Sequence, residues 1–403
     1  MSITVYAARK IITMNPMQPE ATHVAVRDGR ILAVGDLARC TAWGECRIDE
    51  RFADQVLLPG LVEGHCHLKE GSMWDWTYTG WFDRRDPDGK TWPGLRSMDA
   101  VVDRLAEVAA RMDAQGLPPG QPLIAWGFDP IYFGGERMTV EHLDRAAGGR
   151  PIVISHANGH LMNVNSAMLR LAEITRDNEV EGVVRFAPGH ALAGEPTGEL
   201  QEFAAMYPVQ KVIGSALSLA AAEQREAIWK FGRVAQLAGV TTATDLVSDL
   251  SPQGLAALRE VTGDAAYPLR IVPAFAPQRN PEGGAARVHA AAASSASDKL
   301  QFGPVKFIVD GSIQGFTARL RAPGYAGGQP NGLWLIPPSQ LPALFEPFHL
   351  AGLQLHIHTN GDEATEVVLD VIEDLLVRHP RADHRHTLQH CQLASSAQLQ
   401  RAG

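Results

Sequence analysis

The chain has 403 residues, 45% of them apolar and 20% charged, so it can bury a large core and is not a disordered protein. Its formal charge is −9 with no dense Lys/Arg stripe, which argues against nucleic acid or an anionic membrane as the main partner. Four scattered cysteines, Cys40, Cys46, Cys66 and Cys391, are too few for a disulfide framework and point to thiols kept reduced in a cytosol.

The opening stretch MSITVYAARKIITMNP carries its basic pair after the apolar residues, the wrong order for a secretory signal. No apolar run is long enough to span a bilayer, so a soluble cytoplasmic protein is expected. The length fits one very large domain or two to three ordinary ones. Residues 2–56 alternate in ITVYAARKIITM and HVAVRDGRILAVG, with RDGR as a tight hairpin turn between short strands.

From residue 57 an apolar run broken by Pro59-Gly60 leads into His65 and His67. In a strand these two imidazoles share a face and Cys66 points the opposite way. Alone, such a pair is either the first arm of a metal site or a polar strand end. An aromatic, turn-rich segment follows with Trp74, Trp76, Tyr78, Trp81 and Phe82, residues that either line a pocket or form a local core. SMDAVVDRLAEVAARMDAQG reads as an amphipathic helix capped by Ser97 or Asp99 and stopped by Gly116. Strands PLIAWGF, RPIVISH and GVVRFA, with a helix near NSAMLRLAEI and many glycines and prolines, suggest an inserted subdomain over 69–217.

From 218 onward strands alternate with helices. SLAAAEQREAIWKFGRVAQLAG leads into VTTATDL, and YPLRIVPAFA, FGPVKFIVDGS, LQLHIHTNGD and HRHTLQHCQL follow, separated by helical stretches such as 338–351 and 362–377. This rhythm describes parallel β/α units, in which chemistry gathers at the strand C-terminal ends. Polar residues stand out at those ends: His65, His67, Lys306, His356, His358 and His390. Each has a bland alternative. Lys306 could snorkel to solvent, His356 and His386 could be satisfied interior histidines, and Asp362 could simply cap a helix. Together, four imidazoles from three strand ends would converge on one point and suit Zn²⁺ or a similar ion. A lysine buried beside them must lose its proton or be modified, and a neutral lysine can add CO₂ to become a bridging carbamate.

At this point the motifs LLPGLVEGHCHL, WGFD, LDRAAGGRPIVISHANGHLMNVNSAML, GEPTGEL, GVTTATD, VKFIVDGSIQGFTA, HIHTNGDEA and HRHTLQHCQ, in this order, resemble the amidohydrolase superfamily, in its family 3 branch. The resemblance implies an α/β fold, a (β/α)₈ TIM barrel with a small β-sandwich built from both termini. It implies that residues 1–56 belong to the sandwich, that 57–68 carry barrel strand one, and that 218–403 carry strands two to six. Strands seven and eight and the aspartate general base are expected beyond residue 403. It implies His65, His67, His358 and His390 as ligands of one or two zinc ions, with carboxylated Lys306 as the bridge. His160, in the NGH stretch, would reach toward substrate or be structural. Relatives commonly carry Glu where this chain has Gln389. The implied reaction is hydrolysis of a C–N bond, amide, N-acyl or N-formyl, by metal-activated water, with a homodimer left open; if the aromatics after His67 line the pocket, the small-molecule substrate is hydrophobic or aromatic. Two alternatives stand: hydrolysis of esters, lactones or cyclic amides on the same metal site, or a non-catalytic regulatory protein on a degenerate barrel.

Overall fold

The computed structural model describes residues 2–214, 224–278 and 280–403. Chain contacts divide it between Val62 and Glu63. In the first unit, strands β1 (Ile3–Ile12), β2 (Glu20–Arg27), β3 (Arg30–Gly35) and β4 (Cys46–Leu57) form one sheet in the order β3-β2-β1-β4. The RDGR turn closes the β2–β3 hairpin, with Arg27 opposite Arg30. Asp28 and Gly29 both adopt positive φ, +53° and +72°, the backbone that a two-residue turn of this twist requires.

The second unit holds two larger sheets. Strand β5 (Leu61–Cys66) leads into it. The segment that follows contains β6 (Thr77–Tyr78), the short hairpin of β7 (Arg84–Arg85) and β8 (Thr91–Trp92), β9 (Leu123–Phe128), β10 (Ile152–His156), β11 (Leu161–Val164), β12 (Val183–Arg185) and β13 (Pro196–Gln201). Six of these make a mixed sheet in the order β12-β13-β11-β10-β9-β6. The helix Met98–Ala114 packs on it, begun by Ser97, whose side chain accepts the Ala100 N–H, and followed by Gly116 at φ +72°. Ser97, not Asp99, is the cap. It satisfies an amide that the helix itself leaves unpaired.

The remaining strands are β14 (Val240–Ser248), β15 (Arg270–Phe275), β16 (Pro304–Ile308), β17 (Gln354–Thr359) and β18 (Thr387–His390). With β5 they form a six-stranded sheet in the order β18-β17-β16-β15-β14-β5, and every pairing from β14 to β18 is parallel. Helices cover it between strands, as the β/α rhythm requires. Ile228, Phe231, Leu258 and Val261 of the helices Arg225–Leu237 and Pro252–Gly263 pack on Ala243 and Ile271. Phe345, Phe348, Val368 and Ile372 of Leu341–Leu350 and Asp362–Arg378 pack on Val305 and Phe307. Each such side chain contributes about 1.5–3 kcal/mol on leaving water. Residues 218–223 of the helix expected from residue 218 lie outside the described residues. Asp362 opens its helix but does not cap it. Gly361 occupies the cap, and Asp362 Oδ1 accepts the Arg321 N–H at 3.0 Å. Among the described residues, no helix is long and apolar enough to cross a membrane.

Candidate metal centre

Strand alternation at the end of β5 sends Cys66 into the core, where its thiol reaches the Thr244 carbonyl at 3.3 Å. His65 and His67 therefore share the other face, with ring centres 5.5 Å apart. The pair is braced on both sides. Glu63 Oε1 accepts the His65 N–H at 2.9 Å, and the buried Asp245 Oδ1 accepts the Leu68 N–H at 3.3 Å.

Lys306 lies in the middle of β16 and is only 2% exposed. The snorkelling alternative fails because the side chain is buried and turns into a cavity, not out to the surface. Its amine donates to the Gln389 amide oxygen. Burial alone pulls its pKa from the ordinary 10.5 to about 7, so a large share of the amine is uncharged near neutrality.

On β17, His356 pairs laterally with Lys306, and His358 with Ile308. His356 takes the bland role: its Nδ1 accepts from Gln389 Nε2 at 2.9 Å. His386 is satisfied too, in a cluster away from the cavity. There Leu355 N–H donates to His386 Nδ1, and His386 Nε2–H to His349 Nδ1. His349 Nε2–H donates in turn to the His379 carbonyl.

His358 is different. It is 3% exposed; its Nε2 lies 3.2 Å from the Gly311 carbonyl and 3.1 Å from Asn360 Nδ2, and no hydrogen bond from a described residue reaches its Nδ1. The loop beneath is organised by the fully buried Asp310. Its carboxylate accepts the N–H groups of Asn360, Gly361 and Arg319 at 2.9, 2.9 and 3.0 Å. Burial pushes the Asp310 pKa up to about 6, against the pull of those three bonds.

His390 ends β18 with φ +69°, and Cys391 follows at +47°. Consecutive non-glycine residues in this region are uncommon and mark a backbone held by its surroundings. The turn brings the His390 ring to 4.7 Å from His65 and 4.5 Å from His358. A cavity of about 270 Å³ takes in His65, His67, Lys306, His358 and His390, together with His160. Desolvation first, then neighbouring positive charge, keeps the imidazoles neutral: His65 falls to about 3, His390 to about 4, and His67 and His358 well below 6.5.

These residues fit a divalent ion. Two imidazoles sharing one tetrahedral ion at about 2.0–2.1 Å have ring centres roughly 5 Å apart, and the three spacings just given range from 4.5 to 5.5 Å. His67 Nδ1 is buried without a hydrogen-bond partner. Among the described residues, no three His, Cys, Asp or Glu side chains have already closed on one point. The terminal torsion of histidine is broad, so reorienting these rings is inexpensive.

His160 enters from the segment between β10 and β11. Its ring centre is 5.0 Å from that of His358, and its Nδ1 bonds Glu202 Oε2 at 2.9 Å. Sequence reasoning did not single out Glu202, which lies 42 residues away. Of the five aromatics after β5, Tyr78, Trp81 and Phe82 line the cavity, joined by Trp126 and Tyr132. Trp74 and Trp76 instead pack around Met73, Tyr78 and Trp126. The segment therefore serves both as wall and as core.

Residues 53–403 match the amidohydrolase family, in its family 3 branch, and the chain belongs to it. It is 24% identical over 404 residues to Protein LONG AFTER FAR-RED 3 of Arabidopsis thaliana, covering 98% of this chain and 65% of that protein. It is 27% identical over 415 residues to YtcJ of Bacillus subtilis, covering 97% and 69%. The chain thus spans about two thirds of the length of these relatives. An uncharacterized metal-dependent hydrolase of Pyrococcus horikoshii shares the fold with a TM-score of 0.65 at 19% identity, over 99% of this chain and 72% of that one.

Proposed function

We propose that this chain carries the metal centre of a hydrolase that cleaves a carbon–nitrogen bond in a small N-acyl or N-formyl amine. The observation that supports this most is the gathering of neutral His65, His67, His358 and His390 with Lys306 around one cavity. In this reading His65, His67, His358 and His390 would hold one or two zinc ions, and the six strands are the first six of an eight-stranded barrel. When bound, a divalent ion polarises the scissile carbonyl and lowers the pKa of a water toward neutrality.

The chain's own residues do the rest. The largely uncharged Lys306 amine could add CO₂, forming an N–C bond and releasing one proton, and the carbamate would supply an anionic ligand to the metal. Gln389, whose oxygen faces the amine, can turn its NH₂ toward a carbamate oxygen. His358 would offer Nδ1 to the ion, its Nε2 being engaged by the Gly311 carbonyl and the Asn360 side chain behind it. Trp81, stacked on Tyr132 at 5.6 Å, and Phe82 exclude water and favour an aromatic or hydrophobic substrate. The partner is that small molecule, not nucleic acid or membrane.

The test is a panel of N-formyl and N-acyl arylamines, small charged amides, and matched esters and lactones, given to zinc-loaded protein. Amine release fastest from the aromatic amides is expected. Turnover confined to esters or lactones, or better turnover of small charged amides, would count against the assignment.

A further inference from the structure

The residue that follows β13 and opens the helix Glu202–Ile213 is out of keeping with its position. Glu202 is 3% exposed, carries no glycine's freedom, and yet has φ +62°. That backbone is fixed by its own amide, which donates to the His160 carbonyl at 2.8 Å. The carboxylate is fixed as well. Oε1 accepts the Thr317 hydroxyl at 2.6 Å, and Oε2 faces His160 Nδ1 at 2.9 Å. The main chain at Gly311 passes so close that a Cβ there would collide with Thr317 Oγ1 and Glu202 Oε1. The His160 backbone is held in turn by Asn158 Oδ1, which accepts its N–H at 2.9 Å.

An ionised carboxylate can only accept, so it selects the His160 tautomer with Nδ1 protonated and Nε2 bare. No described residue bonds that Nε2. It belongs to a ring that lines the same cavity as the histidines above, 5.0 Å from His358. A histidine whose far nitrogen is bound by a carboxylate is oriented and made more basic as a ligand. A purely structural histidine would have both nitrogens satisfied, as His349 has.

We propose that His160 is a further imidazole donor to the divalent cation of this centre, and that Glu202 is its positioning residue. The inference rests on the metal reading above, and adds that the segment between β5 and β14 supplies part of the centre and is not only a wall of the pocket.

The test uses Co²⁺ alone, with affinity measured against a competing chelator and the visible spectrum of the cobalt protein recorded. The His160→Asn variant is expected to bind Co²⁺ roughly tenfold or more weakly, with a changed spectrum. Glu202→Gln should weaken binding several-fold in the same direction. His289→Ala, a histidine outside the cavity, should behave as wild type. If His160→Asn does not fold, Glu202→Gln decides, since its side chain keeps the size of the original. A folded variant of either kind with wild-type affinity and spectrum overturns the proposal while leaving the metal reading intact. Wild-type protein that takes up no cobalt overturns both.

Discussion

Lys306 and Gln389, 83 residues apart, meet in the buried layer between β16 and β18, with the lysine amine donating to the glutamine oxygen. The other end of that amide donates to His356. One neutral side chain thus satisfies a buried amine and a half-buried imidazole on neighbouring strands. Replacing it with leucine removes both partners and leaves two polar groups unpaired. Gln389→Leu should lose about 1–3 kcal/mol of stability, read as a lower urea midpoint with an unchanged slope.

Asp310 makes the second prediction. Its three accepted N–H groups include those of Asn360 and Gly361, directly after the strand that presents His358. An amide has one acceptor oxygen where the carboxylate has two, and its NH₂ would face a backbone N–H. Asp310→Asn should therefore cost about 1–3 kcal/mol in urea unfolding. It should also weaken zinc retention against a chelator, because the His358 loop is held from beneath by this side chain.

Much of this arrangement was legible in the sequence, for a physical reason. Strands of a parallel sheet covered on both faces are nearly continuous apolar runs, so one lysine in PVKFI or two histidines in LHIH stand out against them. Lys306 and His358, which line the cavity, were visible for that reason. Glu202 was not. Its significance lies in a positive φ and in a partner 42 residues away, and neither leaves a local pattern. The division of the aromatics was also hidden. Trp76 in a core and Trp81 in a cavity wall are both large and apolar, and only the packing separates them.

That separation is testable. Trp81→Ala should raise KM for an aromatic amide at least several-fold while changing stability little, since it removes wall and not core. Trp76→Ala should do the reverse, costing about 3–5 kcal/mol at most, the usual cost of truncating a packed tryptophan. Paired steady-state kinetics and thermal melts distinguish the two. Equal effects of both variants on KM would contradict the assignment of these walls.

The His349–His386 relay predicts a pH dependence of stability. Each bond in it requires a neutral ring, because protonating His386 would place two N–H groups against each other at Leu355. Burial, with nearby His384 and His349 adding, pulls His386 from the ordinary 6.5 to about 3. The unfolded chain therefore binds this proton first. Stability from the neutral ring is complete above pH 6.5 and falls as pH drops toward 3. Melts of the wild type should decline over that window, and His386→Leu should be less stable at pH 7 with a shallower decline.

The measurement that tests the central reading most directly is the metal content of the purified protein beside that of Lys306→Met. Methionine fills the same buried space but can neither add CO₂ nor bind a hard cation. The wild type should retain one or two equivalents of zinc or a similar divalent ion after dialysis. The variant, with its fold verified by circular dichroism, should retain at least tenfold less. A wild type free of metal, or a folded Lys306→Met that holds as much metal as the wild type, would contradict the account.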